Sequence, residues 1–200
     1  MGDHGERKEL GIRTEVLSPL PSALVSCRGL TPPYDKDNLI AIARTAQLTT
    51  DPPTVCISVK DERFSYHQIK QSGEFVINMV DSSLCFFYDW CGVSSGADHD
   101  KFEHCGLTPT PIKNLRTAPA VLEAPLSIGC RLVETVEMAH YAIFIGEVVS
   151  IEGSTAYLNE NGKIDKEKCN FVYYSTIDKG YYDRGRKLGY YGYSLKNPLT

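Results

Sequence analysis

No apolar run in this chain approaches the roughly 18 residues that a membrane-spanning helix needs. The opening stretch MGDHGERKELG is polar and charged, unlike a signal peptide or a myristoylation site. A soluble, cytoplasmic protein with no membrane partner is expected. A basic excess is also missing, since 21 Lys and Arg stand against 25 Asp and Glu for a formal net charge of −4. With a pI of about 5.7, the chain lacks the electrostatic footprint of a nucleic-acid binder. The seven cysteines (Cys27, Cys56, Cys85, Cys91, Cys105, Cys130, Cys169) are odd in number and contain no Cys-x-x-Cys pair. Neither a disulfide framework nor a zinc ribbon follows, and most of them read as small buried hydrophobes. His99, His104, Cys91 and Cys105 are close in sequence, but their spacing matches no tetrahedral ligand pattern, so no metal is expected. G-x-x-x-x-G-K-[ST], G-x-G-x-x-G and G-x-S-x-G are all absent. A P-loop, the usual dinucleotide fingerprint and a nucleophile elbow are thereby excluded.

What is present is a 200-residue chain with 42% hydrophobic and 23% charged residues, enough to bury roughly 70% of its unfolded surface in one core. There is no internal repeat and no long linker. Residues 1–15 read as a polar arm, 16–190 as one domain and 191–200 as a tail. Strand signals dominate at 22–28, 38–45, 54–60, 74–80, 126–136, 140–151 and 171–175, where β-branched and aromatic residues lie between Pro, Gly, Asp and Asn. The segments 126–136 and 140–151 predict a hairpin, with Tyr141, Ile143 and Ile145 on one face and Ala142, Phe144 and Gly146 on the other. Helical signals are few, short and irregularly placed, which favours a mainly β antiparallel barrel with short capping helices over a doubly wound sheet.

Two helix starts carry chemistry. In DERFSYHQIKQSG, Ser65 and Gln68 have the spacing of a capping box and Gly73 is a C-terminal stop, so Arg63 falls just before a helix N-terminus. Free N–H groups and the positive helix end there favour an anion, and the guanidinium adds a bidentate fork. The competing reading pairs Arg63 with Asp61 or Glu62 on a solvated turn. In CGVSSGADHDKFEHCG, Ser94, Ser95, Gly96 and Asp98 precede a short helix ending at Gly106, with Lys101 in its second turn. A Ser-Ser-Gly turn beside a lysine suits a phosphate, and the same letters also make an ordinary turn. His140 opens a hydrophobic strand, where a histidine satisfied by a backbone carbonyl is the plain alternative to a functional one. The tail YYDRGRKLGYYGYSLK reads as an arm that packs aromatics on the barrel or on a second subunit.

Taken together, PSALVSCRG, NLIAIARTAQLTTDPPTVCISVKDERFSYHQIKQSGEFVINMV, DWCGVSSGADHDKF and HYAIFIGEVVSI resemble the flavin reductase-like family, flavoredoxin-type proteins included, over most of residues 20–175. The resemblance implies a Greek-key antiparallel split barrel that binds FMN and forms a homodimer. It also implies that Thr45, Ala46, Gln47, Leu48 and Thr49 hold the flavin, that Ser58 and Val59 lie along its ring, and that Arg63, Ser65, Ser95, Gly96 and Lys101 hold its phosphate. His140 matches a histidine at the open face of the flavin and is the candidate catalytic side chain. Met138 and Ala139 stand where family members commonly carry Gly-Asp, and Arg44 stands where many carry an aromatic. The activity implied is an oxidoreductase that takes hydride from NAD(P)H and passes electrons to a flavin or other small acceptor. The alternative is a flavoredoxin-type carrier between protein redox partners, with no small substrate.

Overall fold

Period-two alternation decides which side of each strand turns inward, and the computed structural model, which describes residues 5–9, 11–12, 17–165 and 167–185, follows that rule closely. In chain order the elements begin with β1 (Leu20–Pro21), β2 (Ala23–Arg28), β3 (Asp37–Ile42), β4 (Thr45–Thr50), β5 (Pro53–Lys60), α1 (Phe64–Ser72) and β6 (Glu74–Met79). Next come α2 (Cys85–Val93), α3 (Lys101–Cys105), β7 (Pro109–Thr110) and β8 (Ala120–Val121). The long strands β9 (Leu126–Met138) and β10 (Tyr141–Gly153) precede the short β11 (Tyr173–Tyr174) and β12 (Tyr181–Tyr182). Seven strands form one antiparallel sheet in the order β3-β2-β6-β9-β10-β5-β4.

The sheet curls because its inward residues must share one core. Val25 and Cys27 of β2, Ile40 and Ile42 of β3, Ile57 and Val59 of β5, Phe75 of β6, Cys130 of β9 and Phe144 of β10 all meet in a single buried cluster. Ile69 of α1 plugs it from one end. Among the described residues β3 and β4 are the two unpaired edges, so the barrel is split there. The expected alternation in β10 holds, with Ala142 and Phe144 fully buried. Gly146 lies so close to Phe75 that a Cβ would approach its ring to 2.7 Å. On the outer face, Leu24 and Leu39 pack beneath Leu84, Tyr88 and Cys91 at α2 and Phe102 and Cys105 of α3.

Several sequence expectations are corrected. The run 38–45 is one strand only to Ile42, and the chain then enters a separate edge strand, β4, at Thr45. Residues 85–93, to which the sequence reading assigns no element, form α2. His140 does not open β10 but sits with Ala139 in the turn before it, where Ala139 takes a φ of 50°. Of the aromatic tail, Tyr181 and Tyr182 form β12, and the Tyr181 ring meets Tyr88 edge-on at 5.6 Å. Residues 186–200 lie outside the described part.

Two buried polar side chains tie the sheet to its loops. Asn78 is fully buried. Its amide donates to the Leu24 carbonyl and to Ser26 Oγ, while its oxygen accepts from Val121 N–H and Ser127 Oγ. Glu74 accepts from the N–H groups of Arg116, Thr117 and Ala118 and from Thr117 Oγ1. Burial pushes the Glu74 carboxyl up, but these hydrogen bonds outweigh it and hold the group below its usual pKa. A depressed folded-state pKa contributes stability that is present above the unfolded value, near 4.3, and lost as pH falls through the folded value. Melting temperatures taken from pH 7 to pH 3 should therefore fall more steeply for the native chain than for Glu74→Gln. Parallel profiles would show that Glu74 does not titrate in this range.

Candidate functional site

The N-terminus of α1 is assembled differently from a capping box. Arg63 itself is the N-cap, with φ −77° and ψ 139°, and it offers no side-chain cap bond. The first turn carries no acidic residue, so nothing in the helix offsets its positive end. Ser65 lies inside the helix, and its hydroxyl accepts from Asn38 Nδ2 at 2.8 Å. Gln68 turns into the core, where it accepts from the same Asn38 amide and donates to the carbonyls of Tyr34 and Lys36. Gly73 ends the helix with φ 68°, as expected.

The second helix start converges on the first. Ser94 ends α2, Asp100 caps α3 by accepting from Glu103 N–H, and Lys101 is the first residue of α3 rather than one of its second turn. Ser94, Ser95, Gly96 and Lys101 together with Asn38, Arg63 and Ser65 line one pocket of about 180 Å³. Gly96 has to be a glycine, because a Cβ there would come within 2.3 Å of Asn38 Oδ1. That oxygen is buried without a hydrogen-bond partner, so the amide is held by its nitrogen and rests on the Gly96 backbone.

Electrostatics make the pocket cation-rich, with Arg63 and Lys101 against Glu62, the one acid in its lining. The acids beside Arg63 are engaged elsewhere, Glu62 with Lys60 at 3.5 Å and Asp61 facing His140 Nδ1 at 3.9 Å. Among the described residues, the Arg63 guanidinium makes no hydrogen bond or ion pair. Lys101 is only 3% exposed and donates to the Cys91 carbonyl at 2.8 Å. Burial, reinforced by the Arg63 charge, lowers its pKa. An anion placed here would relieve both cations, and the hydroxyls of Ser65 and Ser95 add donors. Arg63, Ser65, Ser95, Gly96 and Lys101 therefore fit a phosphoester such as that of FMN.

A narrower cleft of about 100 Å³ adjoins the pocket and shares Ile40 and Arg63 with it. Its walls include Arg44, Ser58, Val59, Lys60 and Tyr141. The Val59 side chain points into the core, so only its backbone is available to a ligand. Thr45, Ala46, Gln47, Leu48 and Thr49 line neither cavity. They form β4, exposed along nearly its whole length, with a register shift between Gln47 and Thr49. The Thr45 hydroxyl donates to the Cys56 carbonyl and the Thr49 hydroxyl lies 2.6 Å from that of Thr54, so what the strand offers outward is chiefly its main chain. His140 projects into solvent with its side chain 89% exposed. Asn38 escaped sequence reasoning, since an Asn opening a strand carries no local signal. The cysteines and histidines near Lys101 are occupied by packing, with His104 stacked on Trp90 at 3.9 Å and the Cys91 and Cys105 sulfurs 4.0 Å apart.

The fold has counterparts among known proteins. Similar solved structures include a flavoredoxin of Desulfovibrio vulgaris, 29% identical over 92% of this chain and 97% of that one, with a TM-score of 0.83. A flavoredoxin from Methanosarcina acetivorans is 27% identical over 94% of this chain and 100% of its own, with a TM-score of 0.82. A split-barrel protein from Shewanella frigidimarina is 26% identical over 86% and 85% of the two chains, with a TM-score of 0.73. A protein of Archaeoglobus fulgidus is 26% identical over 88% of this chain and 94% of its own length. The model of the flavin reductase like domain matches residues 18–175, and the chain belongs to that family.

Proposed function

We propose that this protein is an FMN-dependent oxidoreductase that takes hydride from NAD(P)H and delivers electrons to a flavin or another small acceptor. The observation that carries this reading is the convergence, in one pocket, of Arg63, unpaired among the described residues, a buried Lys101 and the N-terminus of α1. Bound FMN supplies the hydride- and electron-accepting chemistry. The chain supplies the rest. Arg63 and Lys101 bind the phosphate, and Ser65 and Ser95 orient it. Ser58 and the Val59 backbone line the way toward the ring, and β4 offers Thr45, Ala46, Gln47, Leu48 and Thr49 as main-chain partners for the ring's polar edge. His140, paired across the turn with Asp61, stands where a donor or acceptor can reach it.

Two flavoredoxins at 29% and 27% identity favour a second reading, in which the same cofactor relays electrons between protein partners. One experiment separates the two. The protein is reconstituted with FMN under anaerobic conditions, NADH and then NADPH are added, and the visible flavin band is followed. Rapid bleaching supports the reductase and identifies its donor. A band that bleaches with dithionite but with neither nucleotide supports the carrier, and failure to bind FMN overturns both.

His140→Ala should slow bleaching by the nucleotide while leaving FMN affinity unchanged. Equal losses of affinity and stability would make the residue structural instead. The same reading includes a homodimer, for which Val133 and Met138 of β9, 56% and 55% exposed, provide apolar surface. A solution mass of one 22.2 kDa chain with FMN fully bound would remove the dimer.

A further inference from the structure

Arg44 is the cation that the phosphate pocket does not use. Its backbone is fixed beside β5 by the hydrogen bond from Ser58 N–H to the Arg44 carbonyl at 2.9 Å. Two residues along β5, Lys60 lies directly opposite Tyr141 of β10 in the ladder. Ser58, Lys60 and Tyr141 thus share the outer face of the sheet, and Arg44 joins them there. The Arg44 guanidinium carbon lies 5.6 Å from the centre of the Tyr141 ring, and Lys60 Nζ lies 5.9 Å from it. Among the described residues Arg44 has no hydrogen bond from its side chain and no ion pair, whereas Lys60 is offset by Glu62. A guanidinium lying over a ring is held by the ring's face and keeps its N–H edge free for a bidentate acceptor. Arg44 lines the cleft and is absent from the lining of the phosphate pocket, where Arg63 and Lys101 already provide two positive charges.

We propose that Arg44, steadied on Tyr141 and backed by Lys60, anchors the anionic group of the second substrate, so that the cleft selects a carboxylate- or phosphate-bearing partner over its neutral analogue. This inference deepens the flavin reading and rests on it. The required chemistry is an oxyanion that presents two oxygens to the guanidinium fork. It is met by the 2′-phosphate of a dinucleotide donor and equally by the carboxylate of an aromatic acceptor.

The test uses FMN-reconstituted native protein, Arg44→Ala and Arg44→Lys. FMN affinity is measured first, by quenching of flavin fluorescence, and should be the same in all three. Benzoate and its neutral counterpart benzamide are then titrated by calorimetry, and anaerobic reduction by NADPH is compared with that by NADH. Arg44→Ala should reduce benzoate affinity or the NADPH-over-NADH preference by about tenfold or more, the cost of a hydrogen bond to a charged group. Benzamide binding and the rate with NADH should stay unchanged, and Arg44→Lys should recover part of the loss. A loss confined to benzoate identifies the acceptor as the anion bearer, and a loss confined to NADPH identifies the donor. Native protein that prefers neither anionic probe, or an Arg44→Ala variant within twofold of it on both, overturns the proposal. A protein that binds no FMN defeats the flavin reading instead, and benzoate calorimetry on that protein still reports whether Arg44 holds an anion.

Discussion

Lys101→Met is expected to weaken FMN binding by roughly tenfold to a hundredfold while leaving the apoprotein as stable as before or more so. The affinity loss is that of a hydrogen bond to a charged group, roughly 1.5–3 kcal/mol. The stability result follows from burial. In the absence of an anion, Lys101 is a cation held almost entirely away from water, which is the source of its lowered pKa. Methionine fills similar volume without that desolvation penalty, as when buried charges are replaced by apolar isosteres. Set against this is the loss of one hydrogen bond to the Cys91 carbonyl at the end of α2, about 1 kcal/mol. Arg63→Ala is the natural comparison, since Arg63 is only partly buried and makes no bond that its removal would break. It should show a similar fall in affinity with no change in melting temperature. FMN titrations and thermal melts of the apoproteins check both variants. A Lys101→Met protein that melts several degrees lower and binds FMN normally would make Lys101 a helix-end brace and nothing more.

Asn78→Ala is expected to cost about 3–5 kcal/mol of stability, since removing the amide leaves several fully buried partners unsatisfied at roughly 1–3 kcal/mol each, partly offset by relaxation. The side chain is the junction of β2, β6, β8 and β9, and the four residues it bonds are all buried. Denaturant unfolding followed by tryptophan fluorescence measures the effect, because Trp90 is the single tryptophan. A loss below about 1 kcal/mol would mean that the network reforms around the gap.

The strands were legible because their letters and their environment agree. In HYAIFIG every second residue from Ala142 to Gly146 is buried, and in ALVSCR the β-branched and small residues suit a strand covered on both faces. The segment CFFYDWCGV shows where such reading stops. Its aromatics and cysteines favour strands, and its N-cap, Leu84, makes no side-chain cap bond. The helix exists because Tyr88 and Cys91 pack on the outer face of β2 and β3, a tertiary fact with no local trace. The same holds for the site. Arg63 and Lys101 were each visible as isolated anion-binding possibilities, because helix starts have local signatures. Their convergence on one pocket depends on the route of the chain between residues 65 and 94. Asn38, which joins the two halves through Ser65 and the Gly96 backbone, has no periodic or motif signal at all. The Ser65 capping box failed because the helix starts earlier, with Arg63 as its N-cap, which leaves Ser65 inside the first turn with its hydroxyl engaged by that amide.

The edge strand β4 has a bearing on handling the protein. The run TAQLTT contains no charged residue and no proline, and on its outer side the row of main-chain donors and acceptors is open. Such an edge is a template on which another extended segment can dock, and solubility then depends on whatever interrupts or covers it. The shift in register between Gln47 and Thr49 breaks the regular spacing of those groups halfway along, leaving two short stretches in place of one continuous ladder. Protection against edge-to-edge aggregation is therefore built into the backbone at Leu48 rather than into side-chain charge. A deletion that straightened this strand would be felt first as a loss of colloidal stability.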